Sequence, residues 1–253
     1  MVSTYIDVIK MRAEGISSEQ AKGRATVVRQ VRVVVEVLLV FAATHLLLKS
    51  FKQLSELGGL ERSAGLNFSP GLFFGGVAIF AIFVSRRGFS LFGLGALPVR
   101  RGLSNARAFT FGTVLYLLPL LTFIHFDPKL SHALLSFGGL LFAVSVGEEI
   151  FFRGYMQSRL NDVFGRPWQV RRIPFGFGLI LTTLVFGFLH ALNTVDYFHG
   201  RYSFDWGWAT VTAATGLLFG LVREASGSVW PGVALHGLLN IWVIALLALS
   251  KAN

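Results

Sequence analysis

Near the middle of an apolar segment, about residues 136–156, the chain reads Val146-Gly147-Glu148-Glu149-Ile150-Phe151-Phe152-Arg153-Gly154. A helix needs about 20 mostly apolar residues to cross the hydrocarbon of a bilayer, and this segment is long enough. Charged side chains at that depth are costly, so an acid inside a membrane helix marks a candidate functional site. The stretch therefore predicts a membrane protein with a polar site inside the bilayer.

The composition of the whole chain agrees with that interpretation. Of its 253 residues, 53% are hydrophobic and 14% are charged, whereas soluble domains carry roughly a quarter charged residues. A chain so poor in charge could not cover its surface in water. The absence of cysteine from the sequence excludes a disulfide framework, a thiolate metal site and a cysteine nucleophile.

Seven apolar windows are candidates for membrane crossing, and they lie at about 33–49, 70–85, 108–125, 136–156, 177–198, 207–222 and 229–249. Backbone polar groups in lipid must be satisfied within the segment, so these windows are predicted to be helices. We expect an all-α polytopic bundle of about seven transmembrane helices, or eight. Its predicted parts are a cytoplasmic amphipathic arm (1–32) and the membrane-embedded bundle (33–253), with a functional core at about 136–245.

The distribution of Lys and Arg predicts the orientation. With the N-terminus in the cytoplasm, the cytoplasmic segments hold 16 basic residues and the opposite side holds six, which is the bias expected of a multi-pass protein. We therefore expect a protein of the cell membrane or the endoplasmic reticulum membrane. The net charge of +10 is explained by topology and by anionic lipid headgroups, without a nucleic-acid partner.

The two adjacent glutamates are predicted to differ in role. Glu149 and Arg153 are four residues apart and share one helix face, where they can pair. Glu148 points about 100° away, so it lacks that cation and is the carboxylate better able to accept a proton, as a general base must. The alternative is that both glutamates pair with Arg153 as structural ion pairs. A third intramembrane acid, Glu36, is expected to pair with Arg32 one turn earlier.

Two further apolar segments carry polar groups at comparable depth. The fifth contains Phe186 and His190, followed by Asn193, and the seventh contains His236 and Asn240 on one helix face. Polar side chains in lipid seek one another, so we expect them to share one site with Glu148. A carboxylate, two imidazoles and an amide could activate a water molecule and stabilise an oxyanion.

These motifs, in this order on successive apolar segments, resemble the CPBP family: Glu148-Glu149-x-x-x-Arg153, Phe186-x-x-x-His190 and His236-x-x-x-Asn240. The family includes type II CAAX prenyl endopeptidases, Abi proteins and intramembrane proteases similar to lysostaphin resistance protein A. The resemblance covers about 110 residues, from roughly 136 to 245.

The resemblance implies an intramembrane endopeptidase that opens to the cytoplasmic side and acts on a peptide or a lipidated protein such as a prenylated CAAX substrate. By analogy, Glu148 activates the hydrolytic water with the help of His190. His236 and Asn240 would stabilise the oxyanion. The expected supporting residues are Glu149, Arg153, Phe186 and Asn193.

The resemblance favours catalysis without a metal, so no cofactor is expected. A divalent metal such as zinc stays open, and its ligands would be Glu148, His190 and His236. The sequence contains no HExxH, GxGD or GxSxG motif, which argues against the other intramembrane protease chemistries.

Two other functions remain open at the level of sequence. The same fold could serve a non-catalytic membrane protein that confers immunity or binds a partner. Buried Glu and His could also form the proton relay of a transporter, although such transporters have two related halves and the candidate residues here cluster in the C-terminal half.

Overall fold

The computed structural model describes residues 18–58, 69–95 and 143–250. This part of the chain is mostly helical. The helices are α1 (Ser18–Leu57), α2 (Ser69–Val84), α3 (Gln157–Phe164), α4 (Phe177–Ala191), α5 (Trp206–Ser226) and α6 (Trp230–Ser250), with a π-helix at Ile150–Met156 and a 3₁₀ turn at Leu192–Thr194. Residues 143–149 are α-helical and lead without a break through the π-helix into α3. We call this continuous run, residues 143–164, the glutamate helix.

Helix α1 joins the predicted arm to the first predicted span. It runs unbroken from Ser18 to Leu57, so no break in the backbone marks the expected boundary at residue 32. At 1.5 Å per residue its 40 residues extend about 60 Å, roughly twice the hydrocarbon thickness. The excess length brings the first half of α1 against the far end of the glutamate helix, where the Arg29 guanidinium lies 3.0 Å from the Asp162 carboxylate.

Most predicted spans coincide with helices. Windows 70–85, 207–222 and 229–249 agree with α2, α5 and α6 to within four residues. Window 177–198 corresponds to α4 and the 3₁₀ turn after it, and this helical segment ends at Thr194. The window at 108–125 lies outside the described residues. Two described stretches, Lys22–Leu57 and Phe177–Thr194, are long and apolar enough to cross a membrane by length and composition. The total of seven spans therefore stays a prediction.

A short β-hairpin interrupts the helical architecture where the sequence predicted only a connection. Strands β1 (Trp168–Val170) and β2 (Ile173–Phe175) pair antiparallel. The expectation of an all-α fold is thus correct for the described helices and incomplete for this connection. Six residues are too few to show a clear alternating pattern, which explains why the sequence did not reveal the hairpin.

Aromatic side chains fill the interior between the helices. Phe151 and Phe152 of the π-helix are fully buried. Phe151 packs edge-on against Phe74 of α2, with ring centroids 4.9 Å apart, and Phe152 packs in the same way against Phe186 of α4 at 5.0 Å. Such edge-to-face pairs stabilise a core beyond the area that they bury. These aromatic contacts hold the π-helix between α2 on one side and α4 on the other.

Glycines allow α2 to approach the glutamate helix closely. A methyl group on Gly147 would overlap the backbone of Gly71, and one on Gly75 would lie 3.0 Å from the Cα atom of Gly147. Backbone contact of this kind is how small residues pack helices in membranes. The contact fixes the position of Gly147, and hence of Glu148 directly after it.

Gly147→Ala is expected to destabilise the fold by about 1–3 kcal/mol, the usual cost of forcing an extra methyl group into a packed interface. Gly76→Ala is the matched control, because a methyl group there would meet no atom within 4 Å. Thermal unfolding in detergent measures both variants. Equal unfolding midpoints for the two variants would show that the backbone contact is not tight.

An ionic cluster ties the far end of the glutamate helix to its neighbours. Asp162 pairs with Arg29 of α1 and with Arg87, which follows α2, and it lies 3.9 Å from Arg159. Partial burial acts to raise the pKa of Asp162. The hydrogen bond from Arg87 and the three positive charges outweigh that effect and hold the pKa below its ordinary value. The carboxylate therefore stays ionised at neutral pH and links three segments.

The hydrogen-bonding partner of Glu36 is not the predicted Arg32, although the positive charge of Arg32 also acts on its carboxylate. Its carboxylate accepts hydrogen bonds from Arg159, at 3.0 and 2.6 Å, and from the Tyr155 hydroxyl at 3.1 Å, whereas no hydrogen bond links it to Arg32. The partner is supplied by another helix because α1 packs along the glutamate helix, and a planar guanidinium that reaches both carboxylate oxygens makes the better contact.

Candidate active site

The glutamate helix changes its winding next to the two acids. Residues 143–149 are α-helical, and the π-helix begins at Ile150. The wider turn is visible in the amide of Gln157, which donates to the carbonyl of Phe152 five residues earlier. Single π-helical turns are rare and frequently occur at functional sites. Here the turn carries Arg153 on a helix segment that is buried throughout.

The predicted pair of Glu149 and Arg153 is present. Arg153 Nη1 donates to Glu149 Oε1 at 2.9 Å, and both side chains are essentially inaccessible to solvent. Buried charges persist only when they are paired and hydrogen-bonded. Glu149 is thus the glutamate that is committed to the cation, as the spacing predicted.

Helix α5 completes the surroundings of Arg153. The second guanidinium nitrogen donates to the carbonyl of Gly216 at 2.9 Å. Rings from two helices cover the cation, with the centroid of Phe186 at 4.3 Å and that of Phe219 at 5.3 Å, distances at which a cation is attracted to an aromatic face. Gly216 must lack a side chain, because a methyl group there would lie 2.8 Å from Phe186 and 3.1 Å from Arg153.

Sequence reasoning missed these contributions from α5. Gly216 and Gly220 were visible as a pair of small residues at GxxxG spacing, a pattern too common to identify a site. Both carbonyls nevertheless accept hydrogen bonds from the glutamate helix, that of Gly216 from Arg153 and that of Gly220 from Gln157. Phe219 carried no signal in the sequence.

His236 lies between the two glutamates. Its Nδ1 atom is 3.0 Å from Glu149 Oε1, and its Nε2 atom is 3.8 Å from Glu148 Oε2. The carboxylate of Glu149 is an acceptor, so Nδ1 carries the hydrogen. The second distance is too long for a direct hydrogen bond. The ring is held by stacking on Phe219, at 4.8 Å between centroids, so Nε2 is presented towards Glu148.

Glu148 is buried but has no cation within bonding range in the described part of the chain. It is 7% exposed, and its one ion-pair contact within 4 Å there is with His236. The two adjacent glutamates therefore have different surroundings. Glu149 is neutralised by Arg153, whereas Glu148 faces an imidazole nitrogen across a gap.

His190 is oriented by its own helix. Its Nδ1 atom lies 2.9 Å from the carbonyl oxygen of Phe186, so this nitrogen carries the hydrogen, and in the neutral ring Nε2 remains an acceptor. Within the described residues no hydrogen bond joins His190 to Glu148. The Phe186 ring contacts both imidazoles, with centroids 4.7 Å from His190 and 5.8 Å from His236. The two histidines are thus grouped around Phe186.

The side chain of Asn240 forms a hydrogen bond with the glutamate helix. Its Nδ2 atom donates to Ser145 Oγ at 3.0 Å, and Ser145 lies one turn before Glu148. The carboxamide has a second N–H to offer. Sequence reasoning missed Ser145, because its contact with Asn240 depends on how α6 packs and left no signal in the sequence.

We expect Ser145→Ala to reduce the catalytic turnover by about three- to tenfold, the equivalent of one net hydrogen bond. The alanine removes the acceptor that orients the Asn240 amide. In a double-mutant cycle, Ser145→Ala is expected to have little further effect when Asn240 is already alanine. Fully additive losses in the double variant would contradict the linkage.

The structure does not bring Asn193 into this group. Asn193 lies in the 3₁₀ turn after α4 and is exposed. Its backbone carbonyl accepts a hydrogen bond from Lys49 of α1. The chain leaves the α-helix at Ala191, and within the described residues no hydrogen bond joins the Asn193 side chain to the other predicted site residues. The other predicted residues are contributed by three helices: Glu148, Glu149, Arg153, Phe186, His190, His236 and Asn240.

The described residues do not form a metal site. Among residues 18–58, 69–95 and 143–250, no three His, Asp or Glu side chains are grouped as metal ligands. The set Glu148, His190 and His236 is thus not grouped as the three protein ligands of a zinc site in the described part of the chain.

Comparison with known families gives a match over the C-terminal part of the chain. The model of the family described as type II CAAX prenyl endopeptidase Rce1-like matches residues 130–242. That range contains every predicted site residue and confirms the resemblance drawn from the motifs. The matched family is one of membrane-embedded proteases of the CAAX type. None of the curated proteins and none of the solved structures compared with the chain matches it.

Proposed function

Since residues 130–242 match the Rce1-like type II CAAX prenyl endopeptidases, we propose that this chain is an intramembrane endopeptidase that uses a glutamate-activated water. It acts near the cytoplasmic membrane face, on C-terminal peptides of prenylated CAAX-type proteins. The observation that carries the proposal is the asymmetry of the two glutamates: Arg153 neutralises Glu149, whereas Glu148 faces His236 at 3.8 Å.

In the proposed reaction, Glu148 takes a proton from a water molecule as the water oxygen attacks the carbonyl carbon of the scissile bond. The tetrahedral intermediate carries its negative charge on the former carbonyl oxygen. When the C–N bond breaks, the proton on Glu148 passes to the leaving amine, and the carboxylate is restored. No group on the enzyme is consumed, and one water molecule is added across the peptide bond.

The neighbouring groups have defined parts in this scheme. His190 offers Nε2 as an acceptor for the attacking water, because the Phe186 carbonyl engages its other nitrogen. Asn240 supplies an amide N–H to the oxyanion. His236 shares this part when its Nε2 atom also carries a hydrogen, because Glu149 already engages its Nδ1 atom and both ring nitrogens donate only in the doubly protonated ring. Donors of this kind stabilise the oxyanion without reorganising during the reaction.

The test uses the full-length chain purified in detergent and a farnesylated CAAX peptide in H₂¹⁸O, with the products identified by mass spectrometry. We expect one endoproteolytic cut and one ¹⁸O atom in the new carboxyl group, and no product from the Glu148→Gln variant. Product formed by that variant at the wild-type rate would overturn the assignment. Cleavage only of unprenylated peptides would overturn the proposed substrate and retain the protease.

A further inference from the structure

The β-hairpin of β1 and β2 has an apolar face that the helices only partly cover. The register pairs Trp168 with Phe175 and Val170 with Ile173. Alternation along the strands places four apolar side chains on one face, Trp168, Val170, Ile173 and Phe175. Gln169 and Pro174 occupy the other face. Trp168 and Val170 are 46% and 43% exposed, so the free part of the apolar face belongs to β1.

Two arginines form the turn of the hairpin. Arg171 and Arg172 have φ angles of 45° and 71°, and both side chains are exposed. A two-residue hairpin turn with two positive φ angles favours Asn-Gly, because other residues are strained in that conformation. Strained backbone of this kind tends to persist at functional positions. Backbone preference does not explain why arginines occupy these two turn positions, so we infer that their side chains are the reason.

A buried contact fixes the base of the hairpin. Arg166, just before β1, pairs with Glu224 near the end of α5, whose side chain is 1% exposed. The same carboxylate accepts hydrogen bonds from Gln157 at 2.7 Å and from Asn161 at 2.6 Å. Strand β2 packs against α5. The hairpin is thus held in one orientation with β1 outwards.

We propose that the hairpin binds the anionic headgroups of the adjacent membrane leaflet, with Trp168 and Val170 in the interfacial layer and Arg171 and Arg172 on the lipid phosphates. The hairpin joins the polar last turns of the glutamate helix to the start of α4, which with its 3₁₀ turn is long and apolar enough to cross a membrane, so we place it at the level of the membrane surface. Tryptophan is enriched at that level, and basic residues beside the bilayer are attracted to anionic lipids. The charge of the turn makes lipid the occupant rather than a basic or neutral peptide. This inference does not depend on the proposed protease activity.

Because the natural chain has no cysteine, a single introduced cysteine gives a unique labelling site. Val170→Cys and Gln169→Cys carry a polarity-sensitive fluorophore on opposite faces of β1, and each full-length protein is reconstituted into phosphatidylcholine vesicles with or without phosphatidylglycerol. We expect the label at 170 to report an apolar environment and to be quenched by nitroxides at the headgroup level, more strongly with phosphatidylglycerol. The label at 169 should remain in water.

A second variant separates charge from folding. Arg171→Asn combined with Arg172→Gly creates the Asn-Gly turn that two positive φ angles favour, so the hairpin is retained while two charges are lost. We expect the response of the label at 170 to phosphatidylglycerol to disappear in this variant. Identical signals from the two labels, or a phosphatidylglycerol response that survives the double substitution, would overturn the proposal. Protection of the label at 170 only after addition of the CAAX peptide would also overturn it, in favour of a peptide-binding face.

Discussion

Glu148→Gln is expected to abolish most of the peptidase activity while leaving the fold intact. Glutamine preserves the size of the side chain but cannot take a proton from water. Loss of a general base lowers turnover by about 10²–10⁴-fold. The fold should tolerate the change, because no described Lys or Arg lies within 4 Å of the Glu148 carboxylate and its described ion-pair contact is with His236 at 3.8 Å. Turnover at saturating peptide and thermal unfolding in detergent are the two measurements.

The matched comparison is Glu149→Gln, the same chemical change one residue further along. It leaves the fully buried Arg153 without its carboxylate, so it should lower the unfolding midpoint as well as the activity. A stable and inactive Glu148 variant beside an unstable Glu149 variant is the expected pattern. If both variants lose stability equally, the two glutamates share one structural role and the assignment of Glu148 as the base is wrong.

Arg153→Met is expected to have the largest effect on stability. The guanidinium makes a 2.9 Å contact with Glu149 and a second with the Gly216 carbonyl, and its removal leaves a carboxylate that is inaccessible to solvent without a cation. Breaking a buried pair from one side costs about 3–5 kcal/mol. The free energy of unfolding, measured by denaturant titration in detergent micelles, tests this expectation.

Two controls distinguish the stability cost of breaking a buried ion pair from the cost of removing any arginine. Arg201→Met removes a similar contact, at 2.6 Å from Asp196, but that arginine is 74% exposed, and surface pairs contribute about 0–1 kcal/mol. The double variant Glu149→Gln/Arg153→Met removes both buried charges and should recover part of the stability lost by Arg153→Met alone. A loss for Arg153→Met no greater than that for Arg201→Met would contradict the conclusion that the buried pair of Arg153 and Glu149 stabilises the fold.

The predictable parts of the site are local in the sequence. The pairing of Glu149 with Arg153 follows from a spacing of four residues, and it forms even though the helix widens into a π-helix one residue after Glu149. The motif residues of α4 and α6 were identified because imidazoles and amides are conspicuous in apolar segments. The incorrect partner of Glu36 shows the limit of this reasoning, since spacing indicated Arg32 and packing between helices supplied Arg159.

By itself, the sequence determined that these segments are apolar helices and that two of their glutamates differ, because hydropathy and helical spacing are properties of neighbouring residues. The position of His236 between both carboxylates, the carbonyl of Gly216 on Arg153 and the exposed apolar face of the hairpin were decided by tertiary structure. Each depends on the rotation and depth at which one helix packs against another. Those quantities are set by close contacts, such as Gly147 on Gly71, between residues far apart in the chain.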